Sequence, residues 1–313
     1  MKKLIFCFIL WLHAAAAFSQ NSSIYEQLVY REKQEEILSY LADDMTKGRA
    51  SGTDGKLYAE QFIVERFKQY GLKPYNWSYT QSFQYSDSIV LRNVVGLIPS
   101  ANNSDEYIII SAHYDHIGEI NGRIYNGADD NASGVTALLN IAEMFSTMKS
   151  AGKGPRKNLI FVAFDGKELS MSGSGYFVRH LSIPHKNIVC DINIDMLGTD
   201  LVPVGSNKEY LIVLGEERLN PKYQGMLLSL CHKPQYKLDL DLTFYGSRDF
   251  TKMFYTMGDQ YSFAKSGIPA VLFTSAFHQH TYKPTDDVSI INFPLLRKRT
   301  LIIFNFINFI CRN

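Results

Sequence analysis

Three short apolar runs, Tyr107 to Ile110, Leu159 to Phe164 and Ile188 to Ile194, each lead into a group of histidine or carboxylate residues. This pairing constrains the chain more than any other feature, because unbroken apolar stretches of that length are typical of parallel strands buried on both faces. The first run leads into Ser111-Ala-His113-Tyr-Asp115-His116, the second into Lys167-Glu168-Leu169, and the third into Asn193-Ile-Asp195-Met-Leu-Gly198. Between the first two lies Asn126-Gly-Ala-Asp129-Asp130-Asn-Ala-Ser-Gly134. The carboxyl ends of strands in an open parallel sheet share one edge, so side chains distant in sequence converge there on a crevice. One histidine and three carboxylates at that rim suit a divalent transition metal: zinc is favoured, and manganese or cobalt fits the same donors.

Taken singly, each cluster has an ordinary structural explanation. Asp130, Asn131 and Ser133 are good helix caps, Glu168 suits a first helical turn, and Asp195 suits a turn before Gly198. The argument rests on several motifs occurring in one order.

In that order the motifs resemble the bacterial leucyl aminopeptidase-like zinc exopeptidases, whose relatives include glutaminyl cyclases. The strings SAHYDHIG, NGADDNASG and FVAFDGKELSMSGS carry the resemblance. Arg49-Ala-Ser51-Gly52-Thr53, Asn93-Val-Val-Gly96 and Ser266-Gly-Ile-Pro-Ala270 extend it over most of the chain. It implies an α/β fold: a single domain whose mixed, mostly parallel sheet is sandwiched between helices, with a metal site at the carboxyl ends of the strands. It further implies one or two zinc ions. His113 and Asp195 would hold one, and Asp129 would bridge it to a second held by Glu168. Asp115 would stand behind His113 and fix its tautomer, as a ligating imidazole usually requires. Asp130 would follow the bridging carboxylate through a cis peptide, as a neighbour of the site. The implied activity is removal of N-terminal residues from a peptide substrate by metal-bound hydroxide.

Two positions depart from the family pattern. The family's general-base glutamate is replaced by Lys167, a side chain ordinarily positive at neutral pH. It either loses its proton beside the metals and serves as base, or turns away to pair with Asp165 and leaves water activation to the metals. The second departure is at the last ligand, where Phe277-His278-Gln279-His280-Thr281-Tyr282 offers His280, ahead of His278 and Tyr282. Lys167 keeps two other functions open: a metal- or peptide-binding homologue without hydrolysis, and, third, a glutaminyl cyclase.

The chain's 313 residues, 46% of them hydrophobic, suffice for one large core, and 32 basic against 31 acidic residues give no sign of a nucleic-acid partner. Lys2-Lys3 before an apolar stretch from Leu4 to Ala17, then Ala17-Phe-Ser19, reads as a secretory signal peptide over residues 1–19. Residues 20–313 then form the exopeptidase-like domain, secreted or periplasmic, with no stable membrane anchor. Cys190, Cys231 and Cys311 allow one disulfide and require none. Asn21, Asn76 and Asn102 head glycosylation motifs.

The remaining pattern predicts helices over Ile24 to Leu41, Lys56 to Tyr70, Gly134 to Met148, Leu219 to Cys231 and Pro294 to Ile310. Strands are expected at Gln81 to Tyr85 and Ile89 to Ile98, forming an antiparallel edge, and at Tyr210 to Leu214 and Ala270 to Phe273. Gly152 to Pro155 and Gly205 to Lys208 read as surface loops.

Overall fold

The computed structural model describes residues 24–201, 209–244 and 246–313. The expected signal peptide, Asn21 and the expected loop Gly205 to Lys208 lie outside these. The strands in chain order are β1 (Lys73–Pro74), β2 (Thr80–Ser86), β3 (Ile89–Ile98), β4 (Tyr107–His113), β5 (Gly118–Ile120), β6 (Arg123–Tyr125), β7 (Asn158–Phe164), β8 (Ile188–Ile194), β9 (Tyr210–Leu214), β10 (Asp239–Asp241) and β11 (Ala270–Thr274). β5 and β6 form a small hairpin, and the others form one sheet in the order β1-β3-β7-β4-β8-β11-β9-β10, with β2 also on β3.

The middle of the sheet, β7-β4-β8-β11, is parallel. β1 and β2 pair antiparallel with β3, and β3 pairs antiparallel with β7, giving the expected edge. Every residue of β7 is buried, as its unbroken apolar sequence requires of a strand covered on both faces.

The helices are α1 (Arg31–Leu41), α2 (Asp54–Gln69), α3 (Gly134–Ser150), α4 (Ser172–Arg179), α5 (Pro221–Cys231), α6 (Arg248–Tyr255), α7 (Gln260–Ala264) and α8 (Phe293–Arg312). Side chains alternate across each strand, so Ile108 and Ile110 join one core with Leu138, Ile141 and Phe145 of α3, while Ile109 joins another with Phe177 of α4 and Phe263 of α7. Phe145 meets Phe304 of α8 at 4.9 Å between ring centroids, and Phe306 meets Phe273 of β11 at 5.9 Å. The last helix therefore packs on α3 and reaches the sheet.

α2 starts at Thr53, whose side chain accepts the Lys56 N–H, and stops before Gly71 at φ +73°. The helix expected from Ile24 is continuous only over Arg31–Leu41. Tyr30 is extended there, and Arg297 of α8 donates to the carbonyls of Val29 and Glu26. Cys190, Cys231 and Cys311 are buried and free. Among the described residues no helix is long and apolar enough to cross a membrane.

Candidate metal centre

Parallel register aligns the strand ends: Ser111 of β4 stands opposite Asn193 of β8, and His113 opposite Phe164 of β7. Asp195, one residue beyond β8, and the Asp165–Glu168 turn beyond β7 therefore open onto one edge. His113 Nε2 lies 3.3 Å from Asp195 Oδ1 and 3.3 Å from Asp130 Oδ1. Its Nδ1 is 3.1 Å from the backbone oxygen of Asp115, so an Nδ1–H donated there leaves the Nε2 lone pair facing the two carboxylates.

The Asp115 carboxylate is 3.8 Å from that ring, too far for a hydrogen bond. It accepts instead the backbone N–H groups of Lys167 and Glu168, each at 3.1 Å. Asp115 thus orients His113 through its backbone and fixes the Lys167-Glu168 turn with its side chain. Burial, with the charge of Asp165 adding to it, raises its carboxyl to about 7 despite the opposing His113.

The expected bridge at Asp129 shifts by one residue. Asp129 accepts from the Gly198 N–H at 2.6 Å, Ser133 Oγ at 2.9 Å and Thr199 Oγ1 at 3.2 Å, and pairs with His278 Nε2 at 3.1 Å. Its oxygens are committed to the protein. Asp130 has both oxygens buried with no hydrogen-bond partner among the described residues, and the cis bond joins Asp130 to Asn131. Asp130 is therefore the carboxylate presented to the cleft.

Four groups hold it there. Asp286 accepts the N–H groups of Asp129 and Asp130 at 2.8 and 3.0 Å. Arg49, wholly buried, donates to the carbonyls of Asn126, Gly127, Tyr114 and Leu41. Asn131 caps the Gly134 N–H at the start of α3. At Gly127, φ is +57° and a Cβ would stand 2.2 Å from the Asp130 carbonyl oxygen, so only glycine fits.

Two groups of metal-ligating atoms result, His113 with Asp130 and Asp195, and His116 with Asp130 and Glu168, the atoms of each lying within 4.8 Å of one another. An imidazole and two carboxylates, with the Asp130 oxygens uncommitted, make the first group a fit for a divalent ion. The second contains a cation already. Lys167 Nζ lies 2.9 Å from Glu168 Oε1, 3.7 Å from Asp130 Oδ1 and 3.3 Å from the Tyr282 hydroxyl. The ammonium already occupies the Glu168 oxygen that an ion there would need, so the second group does not fit a metal while Lys167 stands there.

The expected pairing of Lys167 with Asp165 is not found. Asp165 is engaged by Lys56 at 2.9 Å, Ser51 at 2.6 Å and the Arg92 N–H at 2.8 Å, and Lys167 faces the cleft. Burial lowers the lysine, but with no metal bound Asp130, Asp195 and Glu168 outweigh it and raise the amine well above its ordinary value. Burial raises the Asp130 carboxyl, yet Lys167 and His113 bring it well below the usual range. Burial lowers His116 to about 3, so that imidazole is neutral.

The expected last ligand, His280, joins neither group. His278 N–H bonds to Thr281 Oγ1 and the chain winds into tight turns, which place His280 Nδ1 2.9 Å from Thr285 Oγ1 and turn His278 towards Asp129. Tyr282 faces Lys167 instead. From sequence, Asp130 is placed only as a neighbour of the site and His278 only as an alternative last ligand, and His116 and Asp286 are given no role. Ser133, four residues past Asp129 and bonded to both its carbonyl and its carboxylate, is the local sign that Asp129 turns into the protein.

A mixed sheet with a histidine-carboxylate centre at its parallel strand ends defines the class. The model of peptidase family M28 matches residues 93–307, more than half of the sequence. The chain belongs to that family. It is 31% identical over 110 residues to aminopeptidase YwaD of Bacillus subtilis (strain 168), covering 34% of this chain and 22% of that protein. Its fold is shared with LapB from Legionella pneumophila at a TM-score of 0.72 and 18% identity, covering 94% of this chain and 75% of LapB. Porphyromonas gingivalis glutaminyl cyclase superposes at a TM-score of 0.69 with 16% identity, over 89% of this chain and 98% of the cyclase. The chain spans no more than 28% of the length of YwaD and the other most similar curated relatives.

Proposed function

We infer that this protein is a zinc-dependent exopeptidase that releases N-terminal residues from peptides. The observation that carries this reading is the His113-Asp130-Asp195 group at the rim of the sheet, two of its members facing His113 Nε2 at 3.3 Å. A zinc ion held there would polarise a scissile carbonyl and acidify water. Asp115 keeps the His113 ring and the Lys167-Glu168 turn in place. The Lys167 ammonium and the Tyr282 hydroxyl are donors for oxygen atoms that gain negative charge.

A cleft adjoins the centre, lined by Asp195, Lys167 and Tyr282 and by Phe244, Phe254, Met257, Leu272 and Phe277. These walls suit an apolar N-terminal side chain, and Asp195 and Glu168 suit its free amine. The likeness to aminopeptidase YwaD supports the same direction of cleavage. The N-terminal Lys2-Lys3 and apolar stretch support a secreted or periplasmic location.

The test is hydrolysis of aminoacyl amides bearing leucine, phenylalanine, lysine or glutamate, before and after chelation and after zinc is restored. Release of leucine and phenylalanine that stops on chelation and returns with zinc is expected. A zinc-loaded protein that releases none of them contradicts the reading.

The Lys167 ammonium favours a second reading, a family member that binds metal and peptide without turnover, because the position of the family's carboxylate base carries a proton here. Peptide binding without hydrolysis in that assay would establish it. Ammonia release from a peptide with N-terminal glutamine, the chain left intact, would instead indicate cyclisation.

A further inference from the structure

We propose that this centre takes a single metal ion and that the Lys167 ammonium serves as its second cation, closing a latent ion site made by His116, Asp130 and Glu168. The inference rests on the zinc site proposed above and specifies its composition.

The geometry gives three grounds. First, Lys167 Nζ touches Glu168 at 2.9 Å and stands 3.7 Å from Asp130, the carboxylate common to both ligand groups. Second, the ammonium and one dication together match the three negative charges that Asp130, Asp195 and Glu168 carry when ionised, so these three ligands need no second ion for neutrality. Third, the histidines of the 278–286 turn are engaged elsewhere, His278 with Asp129 and His280 with Thr285.

His116 completes the latent site. It is buried, and neither ring nitrogen has a hydrogen-bond partner among the described residues, although Nδ1 lies 3.8 Å from Asp130 Oδ2. A buried imbalance of that kind normally has an explanation in the site around it. Here it is a donor facing a place that the ammonium holds.

Zinc content decides the matter and needs no activity. The full mature chain is loaded with excess zinc, desalted and measured by elemental analysis. One ion per chain is expected in the wild type, two in Lys167→Ala, and one again in Lys167→Ala combined with His116→Ala. Lys167→Met, which keeps the length of the side chain and removes its charge, should also take two and covers the case in which the alanine variant folds poorly. Two ions in the wild type, or one in both well-folded Lys167 variants, overturns the proposal. Two ions with hydrolysis would leave the peptidase reading standing, whereas one ion without hydrolysis would overturn that reading and leave this one. No bound ion at all overturns both.

Discussion

Asp129 and Asp130 are adjacent carboxylates with opposite duties. Asp129 meets the Gly198 N–H, two hydroxyls and His278, and ties the start of α3 to the segment beyond β8. Asp130 turns two unpartnered oxygens to the cleft. Asp130→Asn should therefore abolish zinc binding in calorimetric titration, while Asp129→Asn should retain it and lose stability instead. The reverse pattern would contradict the geometry. Lys167→Glu restores a carboxylate where the family carries its base, and should raise hydrolysis at neutral pH by about tenfold or more. No gain in a zinc-loaded variant would mean that a missing base is not what limits the rate. His113, Glu168 and Asp195 were legible in the sequence because each closely follows an apolar strand. Asp130 was not, because which of two neighbouring carboxylates faces the cleft depends on partners up to 157 residues away, Asp286 among them. His280 was misplaced for a similar reason: its direction follows from how Thr281 and Thr285 wind the turn.

At the scale of elements, the loop before α3 is tied to its neighbours by one buried side chain. Arg49 does this with four hydrogen bonds to carbonyls of three separate segments, and no carboxylate partner is needed. Arg49→Ala leaves those buried acceptors unsatisfied and should lower unfolding stability by roughly 3 kcal/mol or more. Arg49→Lys should recover little of that, since an ammonium lacks the planar fork. A loss below about 1 kcal/mol in denaturant titration would show that solvent replaces the guanidinium. The longer strands were readable to within a few residues from their apolar runs or alternation, whereas the short β1, β5, β6 and β10 carry no such run and were not read. The break ahead of α1 was hidden, and the arginine that bonds its carbonyls lies on α8, 268 residues away.

Over the whole molecule, the sheet also buries a carboxylate remote from the cleft chemistry. Asp191, in the middle of β8, accepts from Ser111 Oγ at 2.8 Å, and its other oxygen has no hydrogen-bond partner among the described residues. Burial raises its carboxyl well above the ordinary range, Asp259 adds to the effect, and the Ser111 hydrogen bond only partly offsets it. The folded protein therefore binds this proton more tightly than the unfolded chain. Its stabilising contribution is complete below the unfolded value of about 4 and is lost as pH rises through the higher folded value. Asp191→Asn should match the wild type near pH 4 and exceed it in melting temperature at pH 8; equal melting at both would refute the burial argument.

The chemistry of the centre depends on where one ion binds. Anomalous scattering at the zinc edge from crystals of the zinc-loaded protein tests that directly. The account predicts one strong peak within bonding distance of His113 Nε2, Asp130 and Asp195, with the Lys167 ammonium beside it. A peak bonded to Asp129, or none at the strand ends, would contradict it.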